Sequence, residues 1–446
     1  MDKIDLRKRL RQLSLPVFVD MSLTMLVGTV DTFMLSRCGD GVGPVGAVGM
    51  VNMLVTLVFM VYQFLSTGVS VLCAQYYGAG KQRRFMQTVV LALALNASLG
   101  IAISVALFVF AEQILVAMGL RPEAMIYGES YLRITGVMSV FPALSFALGA
   151  SLRSAGKVKE PMIANGIANI LNVIGNWALI FGHFGFPEMG VAGAALATAS
   201  SRFIQFAILA LMHRLRHVRL LVARLMRPFP WRELKNLFYV GIPSMTEPMS
   251  YCLSQTVVVY FINKISTEAL ATKAYCASLI TFVLLYCVSV VQAGDILVGH
   301  LIGQKRYRPA YLAGNYFLRR CMFVTLTGSA LLAIAGPLVL PMLTHEPDII
   351  SSGTAILAID VILEIGRVHN IFACSTLRCV GDIMYPVVVG VTVQWLVGVG
   401  VACLLGLPAG LGIVGVWIGF LLDENLRGTI LIRRWHSKRW MGRSFA

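Results

Sequence analysis

Apolar runs of about 20 residues recur along the whole chain, separated by short polar connections rich in Lys and Arg. A run of that length crosses the roughly 30 Å hydrocarbon core of a bilayer as a helix. The pattern predicts twelve spans, near residues 13–35, 46–70, 87–110, 127–150, 162–182, 191–212, 237–262, 271–298, 314–340, 351–374, 385–406 and 412–432. The expected fold class is therefore an all-α polytopic membrane protein. The first run, LSLPVFVDMSLTMLVGTVDTFML, interrupts its own pattern with Asp20 and Asp31. A carboxylate at a helix centre costs roughly 2.5–3.5 kcal/mol to insert. Eleven residues are about 20° more than three full turns, so a regular helix puts both aspartates on one stripe about 16 Å long. That stripe should face protein or water.

Composition agrees with the spans. The chain of 446 residues is 57% hydrophobic and 13% charged, with a mean hydropathy of +0.78, against about 45–50% and 25% in soluble domains. The first apolar run is too long and too polar for a cleavable signal peptide, so the first helix itself should target the protein. The nine cysteines show no CxxC and no metal spacing, and read as small buried hydrophobes. No metal site and no cofactor is expected.

Net charge is +16, but the charges sit in short clusters between spans, which indicates membrane topology and excludes nucleic acid. Of 37 Lys and Arg, 30 fall in the N-terminus, the loops after even-numbered spans, with Arg319 and Arg320 at the start of the ninth span counted among them, and the tail, here begun at Arg427. Four fall on the opposite side, at Arg37, Arg121, Lys264 and Lys273, while Arg133, Arg202 and Arg367 lie within spans. Both termini should be cytoplasmic.

The chain also repeats itself. LSLPVFVD at 13–20 aligns with YVGIPSMTE at 239–247, pairing Pro16 with Pro243 and Asp20 with Glu247. LRSAGKVKEP at 152–161 aligns with LRCVGDIMYP at 377–386, and GVAGAAL at 190–196 agrees more loosely with GIVGVWI at 412–418. The expected organisation is an N-terminal six-helix lobe (1–212), a basic cytoplasmic linker (213–236), a C-terminal six-helix lobe (237–432) and a basic tail (433–446). Repeats of this kind place a substrate site near the bilayer midplane.

Polar residues inside the spans mark candidate chemistry. In the fifth span Asn165, Asn169, Asn172 and Asn176 are spaced 4, 3 and 4, one face of a helix. Interhelical hydrogen bonding worth about 1 kcal/mol each is the expectation for Asn165 and Asn169; a polar cavity is favoured for Asn172 and Asn176. In the tenth span Asp360, Glu364 and Arg367 share a face, either as an internal ion pair or as a titratable carboxylate tuned by Arg367. Glu247 has no charge within a turn, so its partner must come from another helix, or it carries a proton. Asp423 and Arg427 read as a structural i,i+4 pair near the cytoplasmic end, and Asp295 as a residue of the cytoplasmic end of the eighth span. There is no GxxxxGK[ST], no HExxH and no nucleophile–histidine constellation, so an enzyme or ATP-driven motor has no support.

VDTFMLSRCG, AVG at 47–49, STGVSVLCAQYYGAGKQRR, LRSAGKVKEP, ANILNVIGNWALIFG, GVAGAALATASSR and GIVGVWIGFLLDENLR, in that order, resemble the bacterial multidrug and toxic compound extrusion (MATE) family over essentially the whole chain. The resemblance implies twelve helices in two six-helix lobes, a bacterial plasma-membrane location, and export of organic, often cationic compounds in exchange for protons or sodium. It implies a monomer with a small-molecule substrate, the lipid bilayer around it, and no obligate protein partner. By position, Asp31, Asn172 and Thr198 match the family's coupling site in the N-terminal lobe. Asn176 stands where many members have aspartate, which removes one negative charge and favours protons over sodium. Pro16 matches a proline where helix 1 bends, and GIPSMTE and LEIGR resemble a branch with glutamates on helices 7 and 10, which makes Glu247, Glu364 and Arg367 second-lobe candidates. Two alternatives stay open: an exporter of lipid-linked oligosaccharide or of a metabolite such as a flavin within the same superfamily, and a non-transporting receptor or scaffold.

The charge count predicts that both termini and the loop around Arg224 are cytoplasmic. A reporter fused after Ala446 should be active only in the cytoplasm; activity restricted to the opposite side would overturn the orientation.

Overall fold

In a computed structural model, residues 3–37, 42–215 and 226–446 are described, and they form helices without a strand. The first half runs α1 (Lys3–Ser36), α2 (Val42–Gly78), α3 (Gln82–Val109), the short α4 (Ala111–Ala117), α5 (Pro122–Val137), α6 (Val140–Ser154), α7 (Lys159–Phe181) and α8 (Gly190–Leu215). The second runs α9 (Trp231–Ile265), α10 (Thr267–Gly303), α11 (Tyr307–Leu343), α12 (Pro347–Cys379), α13 (Met384–Gly406) and α14 (Gly412–His436). Gln394–Val399, within α13, is π-helical.

Among the described residues nine helices are long and apolar enough to cross a membrane, and α5 with α6, bent by 48°, makes a tenth span. The remaining two of the twelve, α9 and α14, carry the polar run Ser244–Glu247 and the charged trio Asp423, Glu424 and Arg427, which lowers their hydropathy. The helices also outgrow the predicted spans. The longest have 37 residues, about 55 Å at 1.5 Å per residue, well past a 30 Å core. Apolar windows stop where polar turns begin, whereas the helical backbone continues through them.

The chain forms two compact units, one of residues 19–242 and one of 1–18 with 243–446. The expected boundaries at 212 and 237 are not the ones these units follow. Leu6 and Leu10 of α1 are buried in the same core as Phe317, Phe372 and Trp435, so the first turns of α1 group with the second half. Conversely, a Cβ on Gly68 or Gly241 would meet Leu237 and Phe64 respectively, so the first turns of α9 pack within the first unit. Both changes of unit fall within a few residues of Pro16 and Pro243, each inside an uninterrupted helix. Residues 216–225 of the expected linker, Arg224 among them, lie outside the described residues.

Of the eight described cysteines six are buried and none is in a disulfide, as small apolar side chains would be. In the second unit α12 and α14 touch backbone to backbone. A Cβ on Gly366 would collide with the backbone of Asn425, and one on Gly428 with the carbonyl oxygen of Gly366. Gly366→Val should therefore lower the melting midpoint of the purified protein by about 1–3 °C, the scale of a 1–3 kcal/mol overpacking cost in a chain of this length. Gly166, with nothing within 4 Å of its Cβ position, should tolerate the same change; equal midpoints for the two variants would contradict this packing.

Candidate functional site

Each unit encloses a cavity. In the first unit α1 and α7 lie in register: Asn165 Nδ2 donates to Asp20 Oδ1 at 2.5 Å and Asn176 Nδ2 to Asp31 Oδ1 at 2.7 Å. Both bonds join residues 145 apart in sequence, so eleven-residue steps on the two helices match. The stripe expected for Asp20 and Asp31 thus faces the asparagine stripe. Asn165 also donates to Thr24 (2.9 Å) and accepts from Gln205 (3.1 Å), a role in helix packing as expected. Arg153 lies within electrostatic reach of Asp20.

Asp31, Asn172, Asn176 and Thr198 come together on the wall of a cavity of about 320 Å³. With its amide nitrogen turned to the carboxylate, Asn172 donates to both Asp31 oxygens (3.0 and 3.2 Å) and accepts from Thr198 Oγ1 (3.3 Å). Asn169, expected as helix glue, lines this cavity instead, and its Nδ2 has no partner among the described residues. Arg202 of α8 lines it too, close enough to Asp31 for its charge to act there, as does Tyr131. Sequence reading saw Arg202 only as an isolated charge; its one signal was its place four residues beyond Thr198 on the same helix.

The second cavity, of about 330 Å³, is lined by Glu247, Lys273, Arg367, Asp423, Glu424 and Arg427 among others. Glu247 pairs with Arg378 (3.4 Å) and accepts from Cys374 Sγ (3.2 Å), so the partner from another helix exists and the carboxylate is not alone. Arg378 belongs to LRCVGD as Arg153 belongs to LRSAGK; Arg378 forms an ion pair with Glu247, whereas Arg153 acts on Asp20 only through its charge. Arg367 is held by Glu364 and by Asp360 (3.6 Å). Glu364 is fully buried behind Arg367 and does not line the cavity.

Three placements are corrected. Asp423 and Arg427 (2.5 Å) sit midway along α14 on the cavity wall, not near its end, and Glu424 joins them at 3.0 Å. Arg427 is 2% exposed and so does not belong to the tail charge. Lys273, counted with the outer loops, lines the cavity. Each was misplaced for one reason: a window of apolar residues assigns charge to its ends. Asp295 accepts from Ser375 (2.5 Å) and Thr376 (3.0 Å) and is half-buried. Among the described residues no group of three or more His, Cys, Asp or Glu could hold a metal ion.

Two repeated helical halves, each with charged and amide side chains around a cavity inside an apolar layer, define a polytopic membrane transporter rather than an enzyme. The MatE family model matches residues 16–178 and 243–404. The chain is 34% identical over 435 residues to the Bacillus subtilis "Uncharacterized transporter YisQ", covering 97% of this chain and 95% of that one. It is 28% identical to the Thermotoga maritima "Probable multidrug resistance protein NorM", covering 99% and 94%. A mutant of the Vibrio cholerae MATE transporter VcmN has the same fold at 18% identity, with a TM-score of 0.84 over 99% of each chain. This chain belongs to the MatE family of transporters, with the twelve-helix, two-lobe fold.

The Glu247–Arg378 pair yields a stability test. Removing one partner of this half-buried pair leaves an uncompensated charge, at a cost of about 1–2 kcal/mol, below that of a fully buried pair. Arg378→Met should lower unfolding stability by about that amount, and Glu247→Gln added to it should recover about half or more. Purely additive losses in denaturant unfolding would mean that the pair is not coupled.

Proposed function

We propose that the chain is a secondary active antiporter that exports organic, cationic or amphipathic compounds in exchange for protons, by alternating access. The observation that carries this reading is the setting of Asp31: a half-buried carboxylate on a cavity wall, bonded by Asn176 and Asn172. The names of several relatives, "Probable multidrug resistance protein", support a broad substrate range. Exchange requires that substrate and proton compete for one state of the protein, a reciprocal coupling of typically 1–3 kcal/mol. Amide N–H groups stabilise the ionised carboxylate, and a proton taken from water converts it to a neutral acid that holds an organic cation less well.

The donors around Asp31 favour protons over sodium. A sodium ion needs converging oxygens, whereas Asn176 turns its nitrogen toward the carboxylate and Arg202 adds positive charge. Pro16 lacks the N–H that would bond the carbonyl one turn earlier, so α1 has a ready place to bend. The protein acts as a monomer in the bacterial plasma membrane with both termini cytoplasmic, and no cofactor beyond the coupling proton is required. An exporter of lipid-linked oligosaccharide is less well supported. Arg367 and Arg427 are each answered by two carboxylates, leaving little charge to grip a pyrophosphate.

The test is export by purified protein in liposomes. A pH gradient should drive dye transport, and a sodium gradient alone should not; transport only with sodium would refute proton coupling. Asp31→Asn preserves size and hydrogen bonding but fixes the neutral state. It should insert and fold normally, keep substrate binding, and lose gradient-driven export by about tenfold or more, while Asp20→Asn is milder. Full export by Asp31→Asn would shift the coupling role to Glu247 or Glu364.

A further inference from the structure

We propose that the cavity of the second unit is a ligand site of its own, where Lys273 anchors the carboxylate of an aromatic compound that also carries an amine. The proposal rests on the export reading above and narrows its substrate class. The cations on and behind this wall differ in one respect. Arg367, Arg427 and Arg378 are each held by carboxylates. Lys273 Nζ donates to Gln255 Oε1 at 2.9 Å and stands 6.0 Å from the centre of the Phe420 ring. No carboxylate lies within 4 Å of it among the described residues. An ammonium has three N–H donors, so at least one is left for a visitor.

Unmet polar atoms on the same wall indicate what that visitor brings. Arg427 Nε, a donor, and Gln394 Oε1 and Asp423 Oδ1, both acceptors, have no partner among the described residues. All three side chains are at most 3% exposed and line the cavity. Buried polar groups cost free energy when left unpaired, so a ligand that pairs them is favoured over one that does not. A carboxylate is the partner that Lys273 Nζ lacks, and an amine suits a wall that also carries Gln394, Asp423 and Glu424. Gln394 opens the π-helical stretch of α13, a distortion frequent at functional sites. The apolar body has its place as well, because Trp417 and Phe420 pack edge to face at 5.6 Å on this wall and present ring surface to an aromatic ligand. About 330 Å³ is at the lower end of the range for small-molecule sites.

Rhodamine 110 and rhodamine 123 provide the test, since they differ only in that the second caps the carboxylate as a methyl ester. Binding to the purified full chain is read by fluorescence polarisation. Wild type should bind rhodamine 110 about tenfold tighter than rhodamine 123, the scale of one charge-assisted contact. Lys273→Met should erase the preference by weakening rhodamine 110 alone, and Lys273→Arg should restore most of it. No binding of rhodamine 110 by wild type, no preference for it, or a preference that survives Lys273→Met, would overturn the assignment. Export of both dyes under a pH gradient is measured beside binding. Export without preference leaves the antiporter reading standing and removes the Lys273 site; preferential binding without export of either dye does the reverse.

Discussion

A carboxylate inside an apolar layer must be met by a donor or a cation from a neighbouring helix, and both units are arranged around that constraint. In the first unit it fixes the register of α1 against α7. Asp20 and Asp31 are eleven residues apart, as are their partners Asn165 and Asn176. Two helices of equal rise can satisfy both bonds only when aligned, and a slip of one residue would turn both asparagines about 100° away. A single wrong register would strand two carboxylates at several kcal/mol each. The apolar surface of the helices has no comparable power to select one alignment, because neighbouring apolar registers differ little in energy.

The second unit meets the same constraint with different chemistry. α9 and α13 are joined where α1 and α7 are, but by neutral bonds: Trp395 Nε1 to Ser250 at 3.0 Å and Gln394 Nε2 to Ser254 at 2.6 Å. Charge has moved to α12 and α14, where Arg367 and Arg427 each sit between two acids. The repeat therefore keeps the position of the helix pair and an arginine within electrostatic reach of the aligned acid, Arg153 for Asp20 and Arg378 for Glu247, while the cavity walls diverge. One wall offers a single carboxylate among amides. The other offers mutually compensated charges and one lysine without a carboxylate. Two walls so different are suited to different tasks, and a single symmetric mechanism shared by both cavities would waste that difference.

Much of this was legible in the sequence, for identifiable reasons. Hydropathy located the spans because lipid tolerates few alternatives to an apolar helix. The 4, 3, 4 spacing of the asparagines located their common face because helical periodicity is rigid. What stayed hidden depends on the third dimension. Nothing local distinguishes Asn169 on the cavity from Asn165 on a helix contact, since the two are one turn apart on the same face. Lys273, Asp423 and Arg427 were read as end charges because a one-dimensional window cannot tell a buried, paired charge from a solvated one. Arg378 was visible as part of a repeated motif, but its bond to Glu247 spans 131 residues and could not be inferred from spacing.

The exchange of helix ends between the units gives the two prolines a physical meaning that the repeat alone did not. α1 is continuous from Lys3 to Ser36, yet its first turns belong to the core that holds Leu6 and Leu10, and its later turns carry Asp20 and Asp31. α9 is divided in the same way next to Pro243. A helix shared by two compact bodies must stay rigid or bend if either body moves, and a missing backbone hydrogen bond localises the bend at the proline. The weakest point of α1 thus lies four residues from the Asp20–Asn165 bond and about four turns from Asp31. A change in what Asp31 holds alters the bond to α7 that keeps the later turns of α1 in register. Asp31 and Pro16 are thus joined by one continuous helix, with the weakest backbone position at the proline.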